Sequence, residues 1–530
     1  MTTIRRTVPV VFATAVVVLL SGTFSRSLQA ADGVAAAARL NDATRVQTLL
    51  AAGADVSAPE PDGSTALLWA VYHAAPELVQ VLLAAGADPD AANRLGLTPL
   101  LQASRYGDAE LIRQLLDAGA RVQPSPAAGR EPPLLAAARA GRVAAVRLLL
   151  DAGADPNATE ALDQQTALMW AAAEGQLEVA RELLDAGADP DRQARINTLT
   201  ERKNADFPSG GFAALHWAAR NGDRAMIDLL LEFGAKLDPR NGDGATPMML
   251  AIVNDRFDLA AYLLDAGADA NDGSLYYATE MRDATTDWRA RDGTVYRADH
   301  PNDLSALDLT RLLLEAGADP DRPFTGQMHN ASMCCDTRAN GTAFYRAAVA
   351  ADVAGMQLML QHGADPNWHP VTAVKDVASG EMRQESGKSA LMAAITGGKG
   401  VGVAGGPNDL RYGPPPFREP ASRDPAAAVG LLLAAGADVQ ARMANGESAL
   451  HLAAKALHPG IVRALVAAGA ALDAQDKDGL TPQQAVARME APQPVPGFHF
   501  VPPLAQPQEM SLLLQELAGS VLASNGGQMP

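Results

Sequence analysis

A block of about 33 residues recurs along this 530-residue chain, and no other feature narrows its fold as far. Each copy ends in an apolar pair, two further residues and Gly-Ala, which places the glycines at Gly53, Gly86, Gly119, Gly153, Gly187, Gly234, Gly267, Gly317, Gly363, Gly436 and Gly469. The gaps are 33, 33, 34, 34, 47, 33, 50, 46, 73 and 33 residues. Eight copies continue to Asp two residues on; Arg121, Lys236 and Ala471 are the exceptions. A period of this length predicts stacked units that share their cores rather than one globular core.

The copy from Gly63 to Asp88 sets out one unit. Thr65 is placed to cap a short helix reaching about Tyr72. Pro76 suits the first turn of a second helix. That helix carries Leu78, Val79, Leu82 and Leu83 at the three-and-four spacing of an apolar stripe. Gly86 falls where the chain must leave the helix with positive φ, and Ala87 to Leu95 is turn-rich, as a finger would be. Each helix is too short and one-sided to bury its own stripe, so neighbours must do it.

Leu97-Thr98-Pro99-Leu100, Ala245-Thr246-Pro247-Met248, Leu480-Thr481-Pro482, Ala214-Leu215-His216-Trp217-Ala218-Ala219 and Ser448-Ala449-Leu450-His451-Leu452-Ala453-Ala454, together with the recurring Leu-Leu-x-x-Gly-Ala-Asp tail, resemble the ankyrin repeat. The resemblance covers about Ala35 to Arg488 and implies an all-α solenoid of about twelve helix-turn-helix repeats with finger loops. It also implies a non-catalytic protein that binds a partner protein through a concave surface without a cofactor. His216 and His451 match the family's Leu-His position, where the ring bonds to the neighbouring finger.

Acidic residues outnumber basic ones by 61 to 43, a net charge of −18. Such a balance argues against nucleic acid and anionic lipid and favours a partner with a basic surface. At the N-terminus, Arg5-Arg6, the apolar run Val8 to Leu20 and the small-residue stretch ending Ala30-Ala31 have the layout of a signal peptide. The expectation is cleavage near Ala30 and an exported, bacterial, periplasmic or secreted protein with no membrane span after cleavage; an uncleaved tether is the other reading. The chain then divides into a signal peptide (1–30), N-terminal repeats (31–273), C-terminal repeats with insertions (274–490), and a Pro-rich loop with a capping helix and tail (491–530).

Where a gap exceeds the period, an insertion is expected. Residues 196–209 and 322–340 lengthen fingers, and 284–304, with Trp288 and Tyr296, falls between two helices of one unit. Residues 397–424 separate Ser389–Thr396 from Ala426–Ala434, and Met510 to Leu517 should cap the stack.

Motifs with chemical meaning are weak. Gly400-Val401-Gly402-Val403-Ala404-Gly405 matches a dinucleotide fingerprint in letters only, since it follows a repeat helix and leads into prolines. Gly387-Lys388-Ser389 lacks the glycine spacing of a phosphate loop. Trp69, Trp170 and Trp217 recur at one position, which favours packing. Met328, His329, Met333, Cys334 and Cys335 gather soft ligands in one insertion, so an exported metal- or thiol-handling protein is the alternative function. No catalytic set, cofactor site or defined metal site follows from the sequence. Carried over from the family, the partner-facing positions are Asp62, Ser64, Tyr72, His73, Arg94, Arg105, Tyr106, Asp163, Glu174, Arg220, Asn221, Asp243, Asn254, Asn445, Glu447, Lys455 and Lys477.

Overall fold

The computed structural model describes residues 33–123, 131–197, 209–282, 302–324, 341–375, 382–396, 424–490 and 504–525. They contain 24 helices and two antiparallel two-stranded hairpins. The chain divides into two compact bodies, Met1–Ala161 and Leu162–Pro530.

The N-terminal body holds α1 (Val34–Arg39), α2 (Ala43–Ala51), α3 (Ala66–Tyr72), α4 (Pro76–Ala84), α5 (Pro99–Tyr106), α6 (Ala109–Asp117), α7 (Pro133–Arg139) and α8 (Val143–Asp151). Consecutive helices pair, the first of each pair packing on the first of the next, and the second likewise on the second for α4, α6 and α8. Local chemistry sets these boundaries. The Thr65 hydroxyl accepts from the Leu68 N–H at 3.3 Å and starts α3, and Pro76 opens α4. Gly86 leaves α4 at φ +88°, as the repeat predicts. Leu78, Val79 and Leu82 are buried, whereas Leu83 at the edge of the stripe is only half-buried.

The C-terminal body begins with α9 (Ala167–Ala173) and α10 (Leu177–Asp185), then β1 (Ile196–Asn197) and β2 (Ser209–Gly210). It continues with α11 (Ala214–Asn221), α12 (Arg224–Glu232), α13 (Pro247–Val253), α14 (Phe257–Asp265), α15 (Ser274–Met281), α16 (Ala306–Glu315), α17 (Ala343–Ala350) and α18 (Val353–Gln361). β3 (Val371–Lys375) and β4 (Met382–Ser386) precede α19 (Ala390–Thr396), α20 (Pro425–Ala434), α21 (Ala449–Lys455), α22 (Pro459–Ala467), α23 (Pro482–Ala487) and α24 (Pro507–Asn525). The odd-numbered helices from α9 to α23 pack each on the next.

The insertions leave this stacking intact, and two of them are closed at the base by backbone hydrogen bonds. β1 pairs with β2 at Ile196–Gly210 and Asn197–Ser209. The Phe324 N–H donates to the Gly341 carbonyl at 2.9 Å. The β3–β4 hairpin, with Val371 opposite Ser386, lengthens a finger that the sequence reading did not single out. α24 is longer than the expected cap, 19 residues, and buries Met510, Leu513 and Leu514 against the end of the stack.

A polar ladder runs beside the helices. In all eight Gly-Ala-Asp copies the aspartate accepts the N–H two residues on, as Asp88 does from Asp90 at 2.9 Å and Asp438 from Gln440 at 2.8 Å. The residue at that second position then reaches the next repeat. Asp191 accepts from the Lys236 N–H (2.8 Å), Asp238 from Asp269 (3.1 Å) and Asn271 from Asp319 (2.8 Å). Asp321 accepts from Asp365 (2.7 Å), Asn367 from Asp438 (2.6 Å), and Gln440 donates to the Gly469 carbonyl (2.6 Å). Six successive junctions of the C-terminal body are bridged this way, and in the N-terminal body Asp90 does the same for Arg121 at 2.9 Å. These bonds satisfy backbone groups that a helix exit leaves without partners.

Two buried ion pairs interrupt this apolar pattern. Glu280 on α15 meets Arg346 on α17, and Arg282 meets Asp352 at the cap of α18, with Arg282 Nη2 2.8 Å from Asp352 Oδ1. All four side chains are at most 5% exposed.

Candidate protein-interaction surface

Two places in each repeat carry side chains outward on a fixed backbone: the last turn of the first helix and the finger. Neighbouring fingers are tied together through the backbone. The Arg94 N–H donates to the Asp62 carbonyl at 2.9 Å, Arg195 to Asp163 at 2.6 Å and Lys477 to Asn445 at 2.9 Å. Gly63, at φ +86°, lies beneath such a bond; a Cβ there would stand 2.9 Å from the Arg94 nitrogen. Gly446 meets Lys477 in the same way. Finger tips are therefore held closely in place, which lowers the entropy lost on binding.

The sequence-derived positions separate into two groups. Tyr72, Arg94, Arg105, Tyr106, Glu174, Asn221 and Lys477 are exposed, as is Asp62. Ser64 is buried, and its hydroxyl donates to Asp62 at 2.8 Å. Bonds from the Ser64 N–H and hydroxyl hold the Asp62 carboxyl below its usual pKa. His73 is half-buried with Nε2 2.9 Å from the Arg39 carbonyl, and Asn221 donates to the Ala173 carbonyl at 2.7 Å. Asn254 is half-buried and donates to the Leu250 carbonyl at 2.8 Å. Asp163, Arg220 and Asp243 are half-buried as well, the Arg220 guanidinium lying 5.5 Å from the Trp217 ring.

Near the C-terminal end the structure brings Asn445, Glu447 and Lys455 together. Asn445 donates to Glu447 at 2.8 Å, and Lys455 forms an ion pair with the same carboxylate. Burial pulls the Glu447 pKa up, but bonds from Lys455 and Asn445 outweigh it and hold the group charged. Lys388 is half-buried and its pKa is depressed by burial. It donates to Thr396 at 3.1 Å while Ser389 caps α19, so Gly387-Lys388-Ser389 is a helix start rather than a phosphate loop.

Trp69, Trp170 and Trp217 are half-buried. Trp69 donates from Nε1 to Glu60 at 2.9 Å and meets Tyr72 edge-on, and Trp217 lies tilted against Phe212 with centroids 4.9 Å apart. His216 and His451 are fully buried and bond across to the next finger, at the Ala245 (3.2 Å) and Leu480 (3.0 Å) carbonyls. The ladder residues, and the arginines Arg39 and Arg139, were missed from the sequence. Their signal was positional: polar side chains occur four residues after every repeat glycine, from Ser57 to Asp473.

Among the described residues no group of three His, Cys, Asp or Glu side chains is placed to hold a metal, and no helix is long and apolar enough to cross a membrane. Met328 to Cys335, Trp288, Tyr296, Gly400 to Gly405 and the N-terminal segment lie outside the described residues.

Stacked helix pairs, tied fingers and outward-facing last turns define a tandem-repeat interaction module. The chain belongs to the ankyrin-repeat family: models of ankyrin repeats match residues 34–126, 123–194, 196–274 and 432–484. It is 35% identical over 103 residues to protein phosphatase 1 regulatory subunit 27 of Homo sapiens, covering 19% of this chain and 53% of that protein. It is 33% identical over 96 residues to human BCL-6 corepressor-like protein 1, covering 18% of this chain and 5% of that one. The chain thus spans at most about half the length of these relatives. They are animal proteins and lend no support to the bacterial, exported origin read from the N-terminus. Among solved structures, the human ASB11 ankyrin repeat domain is 25% identical, with a TM-score of 0.35 over 41% of this chain and 90% of that one.

Proposed function

We propose that this chain is a non-catalytic scaffold that binds a partner protein outside the cytoplasm, in the cell envelope. The observation that carries the binding reading is the fixed set of exposed side chains, Tyr72, Arg94, Arg105, Tyr106, Glu174 and Lys477 among them, on fingers and last turns locked by inter-repeat hydrogen bonds. Envelope localisation rests on the basic, apolar and small-residue layout of residues 1–31. The net charge of −18 favours encounter with a basic partner at long range; the sign preferred at the contact itself is set locally.

Affinity capture from an envelope extract tests the proposal, using the chain beside a variant with Tyr72→Ala, Arg94→Ala, Glu174→Ala and Lys477→Ala. The expected result is a protein retained by the first and lost from the second, with both melting alike. Equal capture by both, or capture from cytosol only, would count against it.

A further inference from the structure

The N-terminal body contains a row that departs from the acidic balance of the chain. Fourteen residues before Gly53, Gly86, Gly119 and Gly153 stand Arg39, Tyr72, Arg105 and Arg139, one on the last turn of each of α1, α3, α5 and α7. These four helices pack side by side, and the His73 ring fastens the second to the first through the Arg39 carbonyl at 2.9 Å.

The charges within the row are layered. Arg39 pairs with Glu60 at 3.0 Å, and Arg105 and Arg139 share Glu131 at 3.0 and 2.9 Å. In each pair the carboxylate is the covered member, 14–18% exposed, and the guanidinium the open one, 40–46% exposed. The aspartates of the following turn, Asp42 and Asp108, direct their carboxylates at backbone N–H groups of α2 and α6. Leu40, Tyr72 and Tyr106 lie exposed along the same turns. The outward layer is therefore cationic with apolar side chains between, above an inner layer of acids.

We infer that this row docks an extended acidic segment of a partner protein. The inference rests on the interaction reading above and names the chemistry of the segment that one of its surfaces takes. Guanidinium groups bind carboxylates through paired N–H donors, and the three arginine side chains of the row lie on its open side, 40–46% exposed. Adjacent helices are roughly 8–10 Å apart, and an extended chain advances roughly 3.3 Å per residue. Every third residue of the segment thus meets the next helix, giving the pattern Glu-x-x-Leu-x-x-Glu-x-x-Glu, with the leucine at Tyr72. Only one chain direction meets the row, since reversing the segment would set its leucine against Arg105 and a glutamate against Tyr72.

The test uses the full chain and three fluorescein-labelled ten-residue peptides in anisotropy titrations. One carries the pattern with Ser and Gly between, one carries Lys in place of Glu, and one has the same composition with the three Glu consecutive. The patterned peptide is expected to bind best, more weakly as salt rises. Its affinity should fall at least about tenfold in the triple variant Arg39→Gln, Arg105→Gln, Arg139→Gln, as the loss of three partly exposed charge contacts implies. The triple Arg→Lys variant keeps the charges but loses the paired donors, so it should bind more weakly than the wild type yet more tightly than the Gln variant. Equal affinity of both variants, or preference for the Lys peptide, would overturn the inference. A partner protein still captured by the triple Gln variant would remove this row while leaving the scaffold reading in place.

Discussion

Leu82 is fully buried on α4 between the neighbouring helix pairs. Leu82→Ala should cost ~2–5 kcal/mol, read by thermal or denaturant melting, because packed neighbours collapse only partly into the space left. Gly153 behaves differently: a Cβ there meets nothing within 4 Å, yet φ is +87°. Gly153→Val should therefore destabilise through the backbone alone, and Gly153→Asn far less, since Asn tolerates the left-handed region. His216 supplies the pH dependence. Its Nδ1 accepts the Ala213 N–H, its Nε2 donates to the Ala245 carbonyl, and burial pushes its pKa down to about 4. Between about 6.5, the value of a free histidine, and about 4 the unfolded chain takes up a proton that the fold does not, so stability is lost as pH falls through that window. Melting of the wild type against His216→Gln should show the difference between them shrinking from pH 7 to pH 4; a constant difference would refute this assignment.

At the scale of elements, the ladder and the buried ion pairs make separable predictions. Asn367→Ala removes an acceptor for the Asp438 N–H and a donor to the Gly436 carbonyl, so it should cost about 1 kcal/mol and speed amide exchange at Asp438. Arg346→Met leaves Glu280 buried without its guanidinium and should cost ~3–5 kcal/mol, whereas Glu280→Leu with Arg346→Met should recover much of it. Replacing 198–208 by Asn-Gly, a turn that suits the β1–β2 hairpin, should leave melting nearly unchanged. The helix pairs were legible in the sequence because one apolar spacing, one threonine cap and one glycine exit recur in phase. Thr65, Pro76 and Gly86 each act as their chemistry predicts. The ion pairs were not legible, because Glu280 and Arg346 are 66 residues apart and only the stack brings them together. The candidate surface was half legible: Tyr72 and Tyr106 are exposed as expected, but Ser64, at an equally plausible position, turns inward to hold Asp62. Position along a repeat fixes which turn a side chain occupies; its rotamer and partners decide whether it faces outward.

For the whole molecule, stability is a sum over repeats and the junctions between them, so damage at one junction stays near it. The ladder makes the six bridged junctions of the C-terminal body chemically alike, but the lengths of chain that must close to form them differ widely. Asp238 and Asp269 are 31 residues apart, and Asn367 and Asp438 are 71. Closing a loop becomes harder with the logarithm of its length, about 0.6 kcal/mol for each doubling. Assembly of the C-terminal body should therefore spread from its short-gap junctions and meet its highest entropic barrier between α18 and α20. Replacing residues 397–423 by a four-residue linker ought to quicken that step roughly twofold while leaving its hydrogen bonds unchanged. Junctions that the ladder makes equivalent in space are thus ordered in time by the lengths of chain between them.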